Sequence, residues 1–223
     1  MNFVYSTDPS QGISDLGAKI TELLNTNKKV LWLLAGGSNI PIAVDVMKRV
    51  RANISSDKLS YLTLALSDER YGQVGHADSN WQQLTETDFD FSGIKALSII
   101  HGESLEKTIS DYAAAIEPVL KSTDYIISQF GLGSDGHIAG ILPRSPATHA
   151  SGLVTGYVAQ PFTRISLTFD VLRQIDVAYG FVFGAAKGEA LHTLDDEILS
   201  VVEQPAQILR EIPEVYIYQD VIS

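Results

Sequence analysis

A heptapeptide in the second half of the chain combines three glycines with an aspartate and a histidine. It reads Gly-Leu-Gly-Ser-Asp-Gly-His over residues 131–137, and it follows an apolar run at 125–130 that predicts a buried strand. A histidine titrates near neutral pH and can act as a general base, while a neighbouring carboxylate can set its tautomer. His137 and Asp135 are therefore the candidate catalytic pair. The alternative is a histidine that only hydrogen-bonds within its own loop.

The same glycines also match the G-x-G-x-x-G pattern of dinucleotide-binding folds. That pattern requires a helix that opens at the third glycine and an acidic residue about twenty positions later, which binds the ribose. Pro143 and Pro146 follow soon after the loop, and residues 151–160 contain no Asp or Glu. The chain also has no cysteine, and its histidines show no metal-ligand spacing. We therefore expect no dinucleotide, no metal and no other cofactor.

A glycine pair and a serine form the second segment with possible chemistry. Gly36, Gly37 and Ser38 follow an apolar run over residues 30–35. Paired glycines let a ligand approach the backbone closely, and the N-terminus of the helix predicted next favours an anion. The segment is thus a candidate phosphate cradle. The alternative is an ordinary tight turn in which Ser38 or Asn39 caps the helix and Pro41 stands in its first turn.

Three charged residues form the third segment. Asp68, Glu69 and Arg70 follow a predicted strand over residues 61–66 and are expected to lie in a loop. Arg70 can hold a phosphate or a carboxylate through two parallel hydrogen bonds, and the acidic residues can orient it or exchange protons. The alternative is a solvent-exposed charge cluster at the start of a long loop.

Strand-like and helix-like segments alternate along the chain. The periodicity predicts helices over 13–24, 42–50, 105–120 and 185–194, and strands over 30–35, 61–66, 96–100, 125–130, 164–169, 177–183 and 215–218. This alternation predicts one α/β domain over residues 1–223, with a largely parallel central sheet flanked by helices. Ligands of such sheets bind at the carboxyl ends of the strands, where the three polar segments are placed.

The overall composition restricts the class of partner. Hydrophobic residues make up 45% of the chain and charged residues 19%, which permits a substantial core. The net charge of -11 argues against nucleic acid and membrane surfaces, because few Lys and Arg side chains are available to neutralise phosphates. A small phosphorylated metabolite is still compatible if a pocket supplies local positive charge. With no recognisable leader or long apolar run, we expect a cytoplasmic monomer or small homo-oligomer.

Five short motifs, in chain order, resemble those of the 6-phosphogluconolactonase family, which shares a superfamily with the glucosamine-6-phosphate isomerases and deaminases. They are Gly36-Gly37-Ser38, Asp68-Glu69-Arg70 with Ser79-Asn80-Trp81, residues 131–137 with Leu142-Pro143, Arg164-Ile165-Ser166-Leu167-Thr168, and Gly184-Ala185-Ala186-Lys187. Two positions depart from the family pattern. The proline after the loop serine comes one residue late, at Pro41, and Gly140 stands where many lactonases have a serine.

The resemblance implies a Rossmann-like fold and hydrolysis of 6-phospho-D-glucono-1,5-lactone in the oxidative pentose phosphate pathway, with His137 as general base on water. It also implies a phosphate site in which Arg70 and Lys187 are cationic partners, although Lys187 taken alone is an ordinary solvated lysine early in a helix. Arg164 is either a further partner or part of a structural ion pair. The expected substrate- and phosphate-binding residues are Gly36, Gly37, Ser38, Asp68, Arg70, Arg164 and Lys187.

Two other functions stay open at this point. In the superfamily's deaminases, the second loop resembles D-E-Y and the third resembles D-G-H-I-A-F-N-E-P. The glutamate of the third loop serves in ring opening. This chain has Arg70, and it has no glutamate between His137 and Pro146, which favours the lactonase. Its run over residues 135–139 nevertheless matches the deaminase pattern. The other possibility is a sugar-phosphate-binding protein without catalytic activity.

Overall fold

The computed structural model describes residues 1–221, which form two β-sheets and the helices around them. The strands are β1 (Asn2–Tyr5), β2 (Val30–Leu34), β3 (Leu62–Leu66), β4 (Asp68–Arg70), β5 (Lys95–Leu97), β6 (Tyr125–Phe130), β7 (Val154–Tyr157), β8 (Arg164–Leu167), β9 (Val177–Val182) and β10 (Glu214–Gln219). The α-helices are α1 (Ser10–Asn25), α2 (Asn39–Ala52), α3 (Asn80–Thr85), α4 (Leu105–Ser122), α5 (Phe169–Leu172) and α6 (Gly188–Asp196). Short 3₁₀ turns occupy Ser56–Tyr61, Pro146–His149, Ala185–Lys187 and Pro205–Glu211.

The larger sheet is parallel throughout and has the order β1-β10-β9-β6-β2-β3-β5. Every residue of β2 and of β9 is buried, as expected for parallel strands that are covered on both faces. A smaller antiparallel sheet, β4-β8-β7, lies beside it. The predicted α/β fold with a largely parallel central sheet is thus confirmed.

The helices bury one face each, as the spacing of their apolar residues predicts. Leu16, Ile20 and Leu24 stand four positions apart on α1, and each is fully buried. Helix α4 begins where the sequence places it, because the Ser104 hydroxyl accepts a hydrogen bond from the backbone N–H of Lys107. The buried faces of these helices form part of the hydrophobic core.

Some predicted elements are wrong in kind or extent. Residues 68–70 were expected in a loop but form strand β4. All three side chains are charged, so the sequence shows no alternation of apolar and polar residues here. The segment is a strand because it pairs with β8. The sequence also gave no sign of β1, a four-residue edge strand, or of β7. The predicted helix at 185–194 is a 3₁₀ turn followed by α6, and the strand at 164–169 ends at Leu167.

The connection pattern places the polar segments at one edge of the sheet. From β2 the chain moves outward through β3 to β5, whereas from β6 it moves the other way through β9 to β10. The order therefore reverses between β2 and β6, which is where ligands of parallel sheets bind. The segments after β2, β3, β6 and β9 meet around this point.

Candidate active site

A cleft of about 260 Å³ opens at the carboxyl ends of these strands. Eight of the nine residues selected from the sequence line it, and the ninth, Asp135, lies behind His137. The eight are Gly36, Gly37, Ser38, Asp68, Arg70, His137, Arg164 and Lys187. The structure thus brings together residues that are up to 151 positions apart (187 − 36).

His137 and Asp135 are directly hydrogen-bonded. Nδ1 of His137 lies 2.5 Å from Oδ1 of Asp135, and the backbone N–H of His137 donates to the same oxygen at 3.1 Å. An ionised carboxylate only accepts hydrogen bonds, so in the neutral imidazole Nδ1 carries the proton and Nε2 keeps its lone pair. The His137 side chain is 31% exposed, which leaves the ring accessible from the cleft.

The Asp135 carboxylate is held in its charged form. Burial raises the pKa of Asp135, but the hydrogen bonds and the charge of His137 outweigh it, so that its pKa lies below the ordinary value. A carboxylate that stays ionised can stabilise a protonated imidazole beside it. The pair is thus suited to a histidine that gains a proton during a reaction.

Two glycines allow the loop to present His137. A Cβ added to Gly133 would lie 2.0 Å from Nδ1 of His137, so no larger residue fits there without moving the ring. Gly136 has φ +79°, a conformation that side chains rarely adopt. No helix opens at the third glycine, and the next helical turn is Pro146–His149. The loop therefore lacks the helix that a dinucleotide fingerprint requires.

The glycine loop after β2 offers unused hydrogen-bond donors. Ser38 stands at the N-cap of α2 in helical conformation, but its hydroxyl makes no capping hydrogen bond. Within residues 1–221, the backbone N–H groups of Gly37 and Ser38 donate to no carbonyl. Free N–H groups at the start of a 14-residue helix favour an anion.

Three cationic side chains reach the same cleft. Arg70 stacks on Phe162, with its guanidinium carbon 5.3 Å from the ring centroid, and donates to the backbone oxygen of Asp78 at 3.0 Å. The Nε atoms of Arg70 and Arg164 are both buried without a hydrogen-bond partner in the described chain. Burial lowers the pKa of Lys187, whose side chain is partly buried rather than solvated.

Asp68 lies among these cations. Its side chain is 6% exposed; burial raises its pKa, and the charges of Arg164, Arg70 and His137 oppose that rise. The Nε atom of Arg164 has no partner within residues 1–221, and the charge of Arg164 has the largest effect of those that lower the pKa of Asp68. Asp68 therefore offsets part of the cleft's positive charge without a close ion pair in the described chain.

Glu69 faces away from the cleft, and its carboxylate connects parts of the fold. It is fully buried and accepts hydrogen bonds from the backbone N–H groups of Arg70, Asn80 and Trp81 at 2.7, 2.6 and 3.0 Å, and from the Ser79 hydroxyl at 2.9 Å. These donors leave it no free lone pair for proton transfer. Glu69 thus ties β4 to the start of α3.

The position of Gly140, where many lactonases have a serine, is explained by its neighbours. A Cβ there would lie 2.9 Å from Cβ of Ser166 and 3.1 Å from Cβ of Asp68. The backbone N–H of Gly140 donates to the Ser166 hydroxyl at 3.1 Å. Ser166 therefore fills the space that a side chain at position 140 would need.

Among the described residues that line the cleft, two polar side chains were not selected from the sequence. Asn39 and Asn80 both line the cleft and are each 1% exposed. Asn80 belongs to the Ser79-Asn80-Trp81 motif, and Asn39 lies where the chain differs from the family pattern before Pro41. Both positions could have been singled out, but the sequence does not show where their side-chain amides point. Among residues 1–221, no group of three or more His, Cys, Asp or Glu side chains is arranged to hold a metal ion.

Known proteins similar to this chain fall into one family. A family model for the glucosamine-6-phosphate isomerases/6-phosphogluconolactonase matches residues 10–217. The probable 6-phosphogluconolactonase 1 of Arabidopsis thaliana is 25% identical over 150 residues, which cover 59% of this chain and 56% of that protein. The chain therefore spans little more than half the length of that curated relative. In the part of the chain that the structure describes, no helix is long and apolar enough to cross a membrane.

Solved structures agree in fold over almost the whole chain. A 6-phosphogluconolactonase from Thermotoga maritima is 22% identical with a TM-score of 0.81, covering 98% of both chains. One from Shewanella baltica is 19% identical with a TM-score of 0.82, covering 98% of this chain and 97% of the other. A monomeric glucosamine-6-phosphate deaminase is 18% identical with a TM-score of 0.76, covering 98% and 97%. At these identities the likeness shows a shared fold, while the match over residues 10–217 shows that the chain belongs to the glucosamine-6-phosphate isomerase/6-phosphogluconolactonase family.

Proposed function

We propose that this chain hydrolyses 6-phospho-D-glucono-1,5-lactone to 6-phospho-D-gluconate, with His137 as the general base. The observation that carries the proposal is the 2.5 Å pairing of His137 Nδ1 with Asp135, at a cleft that three cations also line. A base and a positively charged pocket are what an anionic ester needs. The proposal includes one domain over residues 1–223, a cytoplasmic location and a role in the oxidative pentose phosphate pathway.

In the first step, Nε2 of His137 takes a proton from water, and the resulting hydroxide attacks the lactone carbonyl. Asp135 holds the Nδ1 proton and stabilises the imidazolium that forms. Negative charge develops on the former carbonyl oxygen and requires donors that are already in place. Arg164 is suited to this, because its buried Nε has no partner within residues 1–221.

In the second step, the tetrahedral intermediate expels the ring oxygen. The bond between the carbonyl carbon and the ring oxygen breaks, and the imidazolium of His137 returns its proton to that oxygen. The products are the open-chain acid, which ionises, and a histidine ready for another cycle. A lactone is an activated ester, so one base and good positioning suffice; general-base help contributes about a hundredfold to ten-thousandfold.

The phosphate is assigned to the N-terminus of α2. The free N–H groups of Gly37 and Ser38 point to an anion there, and a Cβ on Gly37 would lie 4.0 Å from Nη2 of Arg70. Lys187 adds a second cation at the adjoining wall. This local positive charge accounts for how a chain of net charge -11 binds a phosphorylated substrate.

A lactonase fits the cleft better than a deaminase does. Among the described residues that line it, Asp68 is the one carboxylate, and it is buried beside Arg164 and Arg70. The glutamate that the deaminase motif places after the histidine has no counterpart on this wall. Ring opening of an amino sugar phosphate is therefore the less suitable reaction.

The deciding experiment measures lactone hydrolysis above the spontaneous rate. Wild type should show turnover, and His137→Ala should lose about a hundredfold to ten-thousandfold in kcat. His192→Ala, an exposed histidine on α6, is the matched control and should keep wild-type kcat. Near-wild-type turnover by His137→Ala would refute the base assignment.

Two further measurements separate the other functions. Ammonia release from glucosamine 6-phosphate without lactone turnover would establish the deaminase instead. Saturable binding of 6-phosphogluconate, without lactone hydrolysis and without ammonia release, would establish a binding protein.

A further inference from the structure

Asn39 lies at the wall of the cleft, at the place where the sequence departs from the family pattern before Pro41. It is the first residue of α2, and its side chain is 1% exposed. Gln129, near the end of β6, is fully buried behind it. The Nε2 group of Gln129 donates to the backbone oxygen of Asn39 at 2.8 Å and to its Oδ1 at 3.2 Å.

These hydrogen bonds fix which way the Asn39 amide points. Because Oδ1 accepts from Gln129, Nδ2 faces the other side, toward Gly131. A Cβ added to Gly131 would lie 2.8 Å from Nδ2 of Asn39 and 3.9 Å from Nζ of Lys187. Nδ2 of Asn39 and Nζ of Lys187 therefore both lie beside Gly131 at the cleft wall.

Each of the two amides keeps one polar atom without a hydrogen-bond partner in the described chain. Oε1 of Gln129 is buried without a partner, so within residues 1–221 this side chain bonds only to Asn39. Nδ2 of Asn39 donates no hydrogen bond to residues 1–221 either. Asn39 lines the cleft, so an acceptor atom of a bound ligand can use this unoccupied Nδ2 donor.

We infer that Asn39 determines specificity for the phosphorylated end of the substrate: its Nδ2 donates to a phosphate oxygen beside Lys187, and Gln129 is the positioning residue that aims it. The inference rests on the proposed function for the identity of the anion. A phosphate is favoured over a sugar hydroxyl because Lys187 and the free N–H groups at the start of α2 border the same wall.

The test uses two probes, 6-phosphogluconate and inorganic phosphate, with binding measured by calorimetry at neutral pH. Asn39→Ala should weaken both by about tenfold to a hundredfold, the value of a hydrogen bond to a charged group. Asn39→Asp keeps the acceptor for Gln129 and suits a helix N-terminus, but it places an oxygen where Nδ2 was. It should weaken both probes at least as much. Asn25→Ala, an exposed residue of α1, should change neither.

Gln129→Met tests the positioning role at nearly constant shape. It should weaken both probes, and adding Asn39→Ala to it should cost no more than Asn39→Ala alone, since both act through one donor. A purely structural Gln129 would lower the melting temperature and leave phosphate affinity unchanged, which would contradict its role.

Wild-type affinity for both probes in a folded Asn39→Asp variant would overturn the inference. The inference would also be overturned if the Asn39 variants bound 6-phosphogluconate more weakly but inorganic phosphate as well as wild type does. The acceptor for Nδ2 would then be a sugar hydroxyl rather than the phosphate. Absence of lactone turnover together with Asn39-dependent binding of both probes would refute the proposed function and support this inference.

Discussion

The carboxamide of Asn80 occupies the space that any side chain at position 36 would need. A Cβ added to Gly36 would lie 1.9 Å from Oδ1 of Asn80, while Nδ2 of Asn80 donates to the backbone oxygen of Asp68 at 3.0 Å. One buried amide therefore joins the glycine loop after β2 to the charged strand β4. The distance between the candidate phosphate cradle and the arginine of β4 depends on this contact.

Gly36→Ala should disturb both the fold and the site. The methyl group must displace Asn80 or the loop, and overpacking of this kind costs about 1–3 kcal/mol of unfolding free energy. Because the loop carries the proposed phosphate site, KM for the lactone should rise. Urea unfolding and lactonase kinetics measure the two effects. Gly36→Ala combined with Asn80→Ala should lose less than the sum of the single losses, and strictly additive losses would contradict the contact.

Glu69→Gln should lower the free energy of unfolding and have a smaller effect on kcat. Its carboxylate accepts from three backbone N–H groups and one hydroxyl, and an amide NH₂ cannot replace an accepting oxygen. Leaving one buried donor without a partner costs about 1–3 kcal/mol. Glu86→Gln, at the exposed end of α3, is the control. Equal denaturation midpoints for the two variants would show that Glu69 does not tie β4 to α3.

The sequence predicted the candidate catalytic loop over residues 131–137 better than the other walls of the cleft. The apolar run before residue 131 marks a buried strand, and the glycines after it mark a loop, so the position of His137 follows from local pattern alone. The contact between Asn39 and Gln129 does not follow from local pattern, because the two residues are 90 positions apart in the sequence. Strand β4 was missed for a related reason: Asp68 and Arg70 join a sheet only through their pairing with β8. Local periodicity carries no information about such partners.

Lys187 should make phosphate binding sensitive to alkaline pH. Burial lowers the pKa of Lys187, and the lysine attracts a phosphate only when protonated. The affinity for 6-phosphogluconate should therefore fall as the pH rises toward that lowered pKa, before an exposed lysine would lose its proton. Lys187→Arg stays charged and should remove this fall. Lys48→Arg, an exposed lysine of α2, should retain the wild-type pH dependence. A wild-type affinity that is constant from pH 7 to about pH 10 would contradict the role of Lys187.

Asp135→Asn should lower kcat and leave KM nearly unchanged, because Asp135 stands behind His137 rather than at the cleft wall. An amide can donate to Nδ1 as well as accept from it, so part of the histidine adopts the tautomer whose Nε2 carries the proton and is no base. The loss in kcat should not exceed that of His137→Ala. An equal rise in KM would instead indicate a distorted cleft.

The same variant should change how stability depends on pH. The hydrogen bonds from His137 outweigh burial and hold the pKa of Asp135 below its ordinary value in the folded state. A carboxyl with a depressed folded pKa stabilises the fold above its unfolded pKa, and this contribution is lost as the pH falls through the folded pKa. The difference in unfolding free energy between wild type and Asp135→Asn should therefore be fully developed at pH 6 and shrink below about pH 4. Urea unfolding over that range measures it, and a difference that stays constant with pH would show that Asp135 is not held ionised by His137.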